Sequence, residues 1–296
     1  MRRGIAFGVA AYVMWGLFPL YWPLLKPAGA VEILAHRIMW SLVAVGVVLA
    51  ARRSLRWVGT LSVRKIGLLA LAAVIVTVNW GTYIYAVNSG QTIEAALGYF
   101  INPLISVLFG VVVFGERLRA WQWCAVGVGA LAVVVLTVDY GRPPWIALVL
   151  AFAFGTYGLI KKYVDMPSAE GLAVETAVLF LPALGFVLLL EGQGEGTFGH
   201  HGMGQAGLLA AAGVVTAVPM MFFNAAAIRL PLSVIGMLQY LAPLLQFAIG
   251  VFVQHEEMPP SRWAGFLLVW LALAMLTSDG LHAARREPLP ETARGG

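Results

Sequence analysis

Ten runs of mostly apolar residues, each close to the length a helix needs to cross a bilayer, take up almost the whole chain. They lie at 4–23, 31–51, 66–88, 92–114, 120–138, 144–163, 169–190, 205–228, 232–254 and 262–279. A hydrocarbon core about 30 Å thick takes about 20 helical residues, and only helices or closed barrels cross it with their backbone groups satisfied. Turn residues mark the gaps: Lys26-Pro27-Ala28-Gly29, Asn88-Ser89-Gly90, Gly141-Arg142-Pro143-Pro144, Met166-Pro167-Ser168 and Pro259-Pro260-Ser261. The composition agrees, since 60% of the 296 residues are hydrophobic and 11% charged. Soluble domains carry about 25% charged residues and need them to cover their surface. A soluble enzyme, a disordered chain and a disulfide scaffold are thereby excluded, and an all-α integral membrane fold is predicted. The single cysteine, Cys124, allows neither an internal disulfide nor a multi-cysteine metal site.

The net charge of +5 sits in short clusters between the runs, a pattern of membrane orientation rather than of nucleic-acid binding. Start the chain in the cytoplasm and alternate. The inner side then receives Arg2, Arg3, Arg52, Arg53, Arg56, Arg64, Lys65, Arg117, Arg119, Lys161, Lys162, Arg229, Arg285, Arg286 and Arg294. The outer side receives only Lys26, Arg142 and Arg262, and Arg37 lies inside the second run. Adding or removing one crossing would scramble this split, so ten crossings with both termini cytoplasmic are expected. The first run carries Pro19 and Pro23 and is longer than a signal-peptide core, so it is expected to be retained. The tail at 281–296 is expected to be disordered.

The two halves match at an offset of about 140 residues. Pro103-Leu104 answers Pro243-Leu244, Gly110 answers Gly250, Glu116 answers Glu256, Trp123 answers Trp263 and Ala86 answers Ala226. Glu32, Leu34 and Ala35 answer Glu170, Leu172 and Ala173, and Gly16-Leu17 answers Gly158-Leu159. Five crossings per half is an odd number, so the half at 140–280 is expected to be inverted relative to that at 1–139. Inverted repeats are the architecture of many secondary carriers, whose substrate sits near the midplane between the repeats.

The strings Glu32-Ile33-Leu34-Ala35-His36-Arg37, Glu94-Ala95-Ala96-Leu97-Gly98-Tyr99-Phe100-Ile101-Asn102-Pro103-Leu104, Gly115-Glu116-Arg117, Glu175-Thr176 and Gln239-Tyr240 carry a resemblance. On them the chain resembles the EamA-type drug/metabolite transporter superfamily, most closely its RarD-like branch, often labelled chloramphenicol-sensitivity proteins. The resemblance implies a carrier in the bacterial inner membrane, exporting a small metabolite or drug, and does not fix the solute. The second-half counterpart of Gly115-Glu116 reads His255-Glu256, a departure from the repeat.

Polar residues within a span are costly and usually face a cavity or another helix. Tyr99, Asn102 and Ser106 share one helix face beside Pro103, and the offset sends them to Gln239, Ala242 and Gln246 beside Pro243, with Tyr240 adjoining. A proline in mid-helix frees the carbonyl four residues earlier, so both spans are expected to kink and together to wall a substrate cavity. Tyr12, Trp15 and Pro19 share a face of the first span, and Asn79 and Tyr83, with Trp80 adjacent, one of the third. Trp22, Trp57, Trp121 and Trp145 read instead as interfacial tryptophans. Glu32, His36, Arg37, Glu94 and Glu175 are the gate or coupling candidates. Arg37 aligns with Glu175, a cation near one mouth against an anion near the other. Packing, snorkelling of Arg37 to headgroups, and a helix-terminal role for Glu94 are the structural alternatives. Glu116 and Arg117 read as structural turn residues.

No cofactor is expected. His200-His201 is too small a group to hold a metal, and no phosphate-binding loop is present to drive ATP hydrolysis. The expected partners are a small-molecule solute, the lipid bilayer and, as coupling ion, the proton. The small-residue pairs Gly4/Gly8 and Ala125/Gly129 allow close helix contact within the chain or in a homodimer. A membrane enzyme on a lipid-linked substrate or a membrane scaffold are the competing functions. Clustered surface carboxylates or histidines, which such an enzyme needs, do not occur.

Overall fold

The computed structural model describes residues 2–52, 56–115, 117–164 and 166–286, and among these it contains helices and turns but no strand. The first span is α1 (Arg2–Gly16), then α2 (Phe18–Tyr21) and a tight turn over Trp22–Leu25, with a 41° bend between the two parts. Then come α3 (Ala30–Ala51), α4 (Val63–Asn88), α5 (Thr92–Phe114), α6 (Ala120–Tyr140), α7 (Trp145–Val164), α8 (Ser168–Gln193) and α9 (Met203–Ala227). The ninth span is divided into α10 (Leu232–Leu238) and α11 (Leu241–Phe252), and α12 (Pro260–Arg286) closes the chain. Among the described residues nine spans are long and apolar enough to cross a membrane, and the bent first pair makes ten. Helix α12 runs to Arg286, so the first six residues of the expected tail are helical, and 287–296 lie outside the described residues.

Two details differ from the sequence expectation. The first span, expected as one run over 4–23, is divided by a bend next to Pro19 and Pro23, which remove two helix donors. The paired kinks at Pro103 and Pro243 are unequal: α5 continues through Pro103, whereas the ninth span breaks at Gln239-Tyr240, just before Pro243. Packing explains this. Helix α5 lies against α7 and α11 along much of its length, while the seven-residue α10 touches its neighbours lightly.

Side-chain bonds gather alternate connections at one end of the bundle. Thr92, at the start of α5, meets Glu256 and Gln254 from the α11–α12 connection. Glu94 meets Arg142 from the α6–α7 connection and the Ile146 amide in the first turn of α7, and Glu32 of α3 meets Thr197 from the α8–α9 connection. At the other end Arg119 pairs with Asp279, at 3.3 Å, and Lys161 with Glu175, at 2.7 Å.

The helix pairings follow a pattern. Helix α1 packs on α9 as α7 packs on α4, α3 on α9 as α8 on α4, and α5 on α7 as α11 on α1. The remaining main contacts, α3 with α8, α5 with α11 and α6 with α12, join counterpart to counterpart. Moving every helix five spans along therefore leaves the pairing unchanged.

Small residues set the closest approaches. A β-carbon at Gly213 would stand 2.2 Å from the Trp40 carbonyl, so α9 touches the backbone of α3. Gly4 and Gly8 are filled by Leu230 and Leu238, and Gly129 by Leu104, so both small-residue pairs serve contacts within the chain. The Gly213→Ala variant must push α9 off α3 and is expected to lose about 1–3 kcal/mol, the range for overpacking. Gly46→Ala, which faces open space, is the control. Thermal unfolding in detergent should show a lowered midpoint for Gly213→Ala alone.

Candidate functional site

Helix α3 begins at Ala30, so its two turns bring Arg37 to the interior, where it is 3% exposed. Its guanidinium lies 3.9 Å from the centre of the Trp80 ring, with Trp22 at 5.1 Å and Phe18 at 5.7 Å. Its Nε donates to Thr216 Oγ1 of α9 at 2.9 Å, and that hydroxyl donates in turn to the Ala212 carbonyl at 2.8 Å. Next to it, the Asn79 amide donates to the Leu150 carbonyl at 3.0 Å and accepts the Tyr99 hydroxyl at 3.2 Å. The Tyr83 ring meets the Tyr99 ring edge-on at 5.6 Å, and the buried Tyr83 hydroxyl has no partner. Trp15, Tyr21, Trp80 and Tyr99 all pack against one apolar cluster that includes Phe18, Trp22 and Tyr83. The structure thus gathers Arg37, Asn79, Trp80, Tyr83 and Tyr99 in one place.

A second group sits around the bent first span. Pro19 frees the Trp15 carbonyl, and Pro23 frees that of Pro19. Gln246 Nε2 donates to the first at 3.1 Å and Gln254 Nε2 to the second at 3.3 Å. Gln246 therefore completes the backbone of the bend, while its own carbonyl oxygen is buried without a partner. The Tyr12 and Trp15 rings touch each other at 5.3 Å and both touch Phe223. Gln239 and Tyr240 form the break in the ninth span, and Pro243 is buried just after it.

The two faces read as cavity walls do not stand opposite each other. Helix α7 covers the α5 face: Tyr99 meets Phe154, and the Asn102 amide oxygen, buried without a partner, points at Gly155. Ser106 is exposed and bonds back to the Asn102 carbonyl at 3.0 Å, beside Pro103. Helix α1 covers the α11 face in the same manner, with Gly16 against Leu245 and the Ala242 carbonyl.

The charged candidates occupy the two ends. Glu94 accepts from both Nη atoms of Arg142 and from the Ile146 amide at 3.0 Å, so it caps α7. The hydrogen bonds it donates to Glu94 hold the Arg142 guanidinium above its ordinary pKa. This pair lines a cleft of about 210 Å³ with Tyr140, Glu256, Glu257 and Arg262. Glu256 accepts the Thr92 and Ile93 amides at 2.6 and 3.0 Å and caps α5. Burial pushes its carboxyl up, while the Ile93 and Thr92 amides, the Thr92 hydroxyl and Arg262 pull it back. Glu32 accepts the Thr197 amide and hydroxyl at 2.7 and 2.9 Å. One turn on, the His36 ring stacks on Phe198 at 4.8 Å, with both nitrogens unpartnered. Glu175 does not meet Arg37; it binds Lys161 at 2.7 Å and the Tyr157 hydroxyl at 3.1 Å. Glu116 lies outside the described residues, and among the described residues no group of three or more potential metal ligands occurs.

Sequence reading missed Tyr21, Thr216, Phe223, Phe198, Tyr157, Lys161 and Arg142 as partners. It also misjudged Trp22, which is 0% exposed and lies under Arg37 rather than at an interface, because the bend turns this stretch inward. Trp121 and Trp145 are exposed near helix starts, as expected for interfacial residues.

Comparison with known proteins gives a consistent result. The sequence profile described as the EamA-like transporter family matches residues 2–138 and again 143–278. Protein RarD of Streptomyces exfoliatus is 61% identical over 287 residues, covering 96% of this chain and 91% of that one. The uncharacterized transporter YojE of Bacillus subtilis (strain 168) is 43% identical over 281 residues, covering 93% and 94%. A crystal structure 18% identical in sequence superposes with a TM-score of 0.58, covering 92% of this chain and 96% of that one, a likeness of fold alone.

Two measurements probe the charged ends. Removing one partner of a buried ion pair costs about 3–5 kcal/mol, whereas removing both is far milder. Lys161→Met and Glu175→Gln should each lower the unfolding midpoint, and the double variant should recover most of the loss. The raised carboxyl of Glu256 means the folded chain holds that proton more tightly than the unfolded one. Its contribution to stability therefore falls as pH rises through the window above its ordinary value of 4.5. Relative to Glu256→Gln, the parent should lose stability as pH rises above 4.5, the ordinary value of the group. Parallel pH profiles for the two would contradict this assignment.

Proposed function

Because this chain belongs to the EamA-like transporter family and is a multi-pass membrane protein, we propose that it is a secondary carrier for a small organic solute. It works by alternating access in the bacterial inner membrane, with both termini in the cytoplasm. The observation that carries this reading is the pairing of helices that survives a shift of five spans. Two halves, 1–139 and 140–280, inverted relative to each other, have two equivalent ways of leaning together, and each opens a different side of the membrane. The uneven distribution of basic residues, with only Lys26, Arg142 and Arg262 on the opposite side, supports the orientation.

The solute path runs along the polar and aromatic groups between α1, α3, α4 and α5: Tyr12, Trp15, Asn79, Trp80, Tyr83, Tyr99 and Asn102. A few convergent polar groups on an aromatic wall suit an amphipathic organic molecule. Gln239, Tyr240, Pro243 and Gln246 form the flexing side of this path, where two turn residues interrupt the ninth span, and Pro103 and Ser106 lie on α5. Glu32 and His36, with Thr197 and Phe198 seated on them, serve as the outer closure. Glu175 with Lys161 and Tyr157 serves as the inner one, and as the group through which protons couple. Glu94 holds the outer end of α7 in place. The direction is export, driven by the proton gradient or by the solute's own gradient.

Counterflow in proteoliposomes tests the proposal, with labelled amino acids, nucleosides and drugs, with and without a pH gradient. The parent should exchange at least one of them, and Trp15→Ala and Asn102→Ala should slow that exchange about tenfold while both still fold. Chemical conversion of a solute, or parental exchange by both variants, would contradict it.

A further inference from the structure

Arg37 is a fixed cation in the apolar interior. A guanidinium keeps its charge at any pH a cell meets, and burying it without an anion is costly. Among the described residues, every buried carboxylate has its partners. Glu94 is held by Arg142, Glu175 by Lys161, and Asp139 by Arg262 at 2.8 Å. Glu32 is held by Thr197, and Glu256 by the first amides of α5. Among the described residues, no carboxylate pairs with Arg37.

What the protein does supply is support. The Trp80 face carries the charge at 3.9 Å, and Thr216 takes the Nε hydrogen. Neither contact uses the outer edge of the fork, where two parallel N–H groups match a carboxylate. Beside it is a second donor in the same state. Tyr83 is 2% exposed and lies in the apolar cluster against which Trp80 and Tyr99 pack, and its hydroxyl has no hydrogen-bond partner. Two donors of this kind, one charged and one neutral, against the aromatic surface of Trp80 and Tyr99, describe a receptor for an oxyanion attached to an apolar body.

We infer that the transported solute is an organic anion, and that its carboxylate is received by the Arg37 guanidinium and the Tyr83 hydroxyl while its apolar part lies along Trp80 and Tyr99. The inference rests on the carrier reading above and names the class of solute. It also gives the position of Arg37 a purpose: in the carrier's loaded state, the charge of the solute and that of the protein cancel, so the pair crosses the low-dielectric core without an uncompensated charge.

The test uses the full-length protein in nanodiscs of zwitterionic phosphatidylcholine. The probes are phenylacetate and indole-3-acetate, each beside its neutral amide, with inorganic phosphate as a third anion, and thermal stabilisation is the readout. A charge-assisted hydrogen bond predicts that each acid binds about tenfold or more tightly than its amide. Arg37→Gln should erase that preference and Arg37→Lys retain part of it. Tyr83→Phe, which loses no bond present in the fold, should unfold at the parental temperature and bind the acids about threefold or more weakly. Amides that stabilise as well as acids, an acid preference that survives Arg37→Gln, or no stabilisation by any acid would overturn the inference. So would phosphate stabilising as well as the acids, or phosphatidylglycerol reproducing the effect and blocking the acids, since the anion would then be a free phosphate or a lipid headgroup. Counterflow of labelled phenylacetate separates the two readings. Acid binding without counterflow would defeat the carrier reading, whereas counterflow of a neutral solute unaffected by Arg37→Gln would leave the carrier and defeat the anion.

Discussion

Inside a bilayer there is no water to take an unpaired backbone group, and the bonds from Gln246 and Gln254 to the bent first span meet that constraint at its most demanding point. Two prolines four residues apart strip consecutive turns of their donors. The freed carbonyls of Trp15 and Pro19 would each cost several kcal/mol in hydrocarbon. The ninth span and the loop behind it supply one amide to each. The bend that results turns Phe18 and Trp22 inward, and those rings lie against the Arg37 guanidinium. A backbone defect in one half is thus repaired by side chains of the other, and the repair shapes the interior.

The same economy governs the helix ends. The start of a helix presents amides that nothing within the helix can satisfy. Glu94 serves α7 and Glu256 serves α5, each across a junction between elements far apart in the chain. Paired ions lock both ends of the bundle. Arg37 departs from this rule, and its support by Trp80 and Thr216 fixes the guanidinium without neutralising it.

Much of the architecture was legible in the sequence. Hydrophobic runs report membrane spans directly, and the structure has helices long and apolar enough to cross where those runs lie. The polar positions inside spans were also visible, because each is an exception to an apolar run. Their partners were not. Helical periodicity shows which residues share a face but not which helix covers it. Tyr99, Asn102 and Ser106 do share a face, yet α7 lies over its Tyr99 and Asn102 part. Arg37 and Glu175 do align by repeat, yet Lys161 claims the glutamate from the neighbouring helix. Prolines signalled bends without giving their extent: Pro103 leaves α5 whole because α7 and α11 brace it, and the ninth span, less supported, breaks before Pro243. Trp22 looked interfacial because a straight helix would have put it there.

The account stands on ten crossings that bring alternate connections to the same end of the bundle. Single-cysteine labelling with a membrane-impermeant maleimide, in a Cys124→Ser background, reads this directly in intact cells. Cysteines at Ser89, Arg142 and Gly199 should all react from outside, and cysteines at Gly59, Lys162 and Arg229 should react only after the membrane is opened. A mixture of accessible and protected positions within either set would contradict the arrangement of the two halves, and with it the interior they enclose.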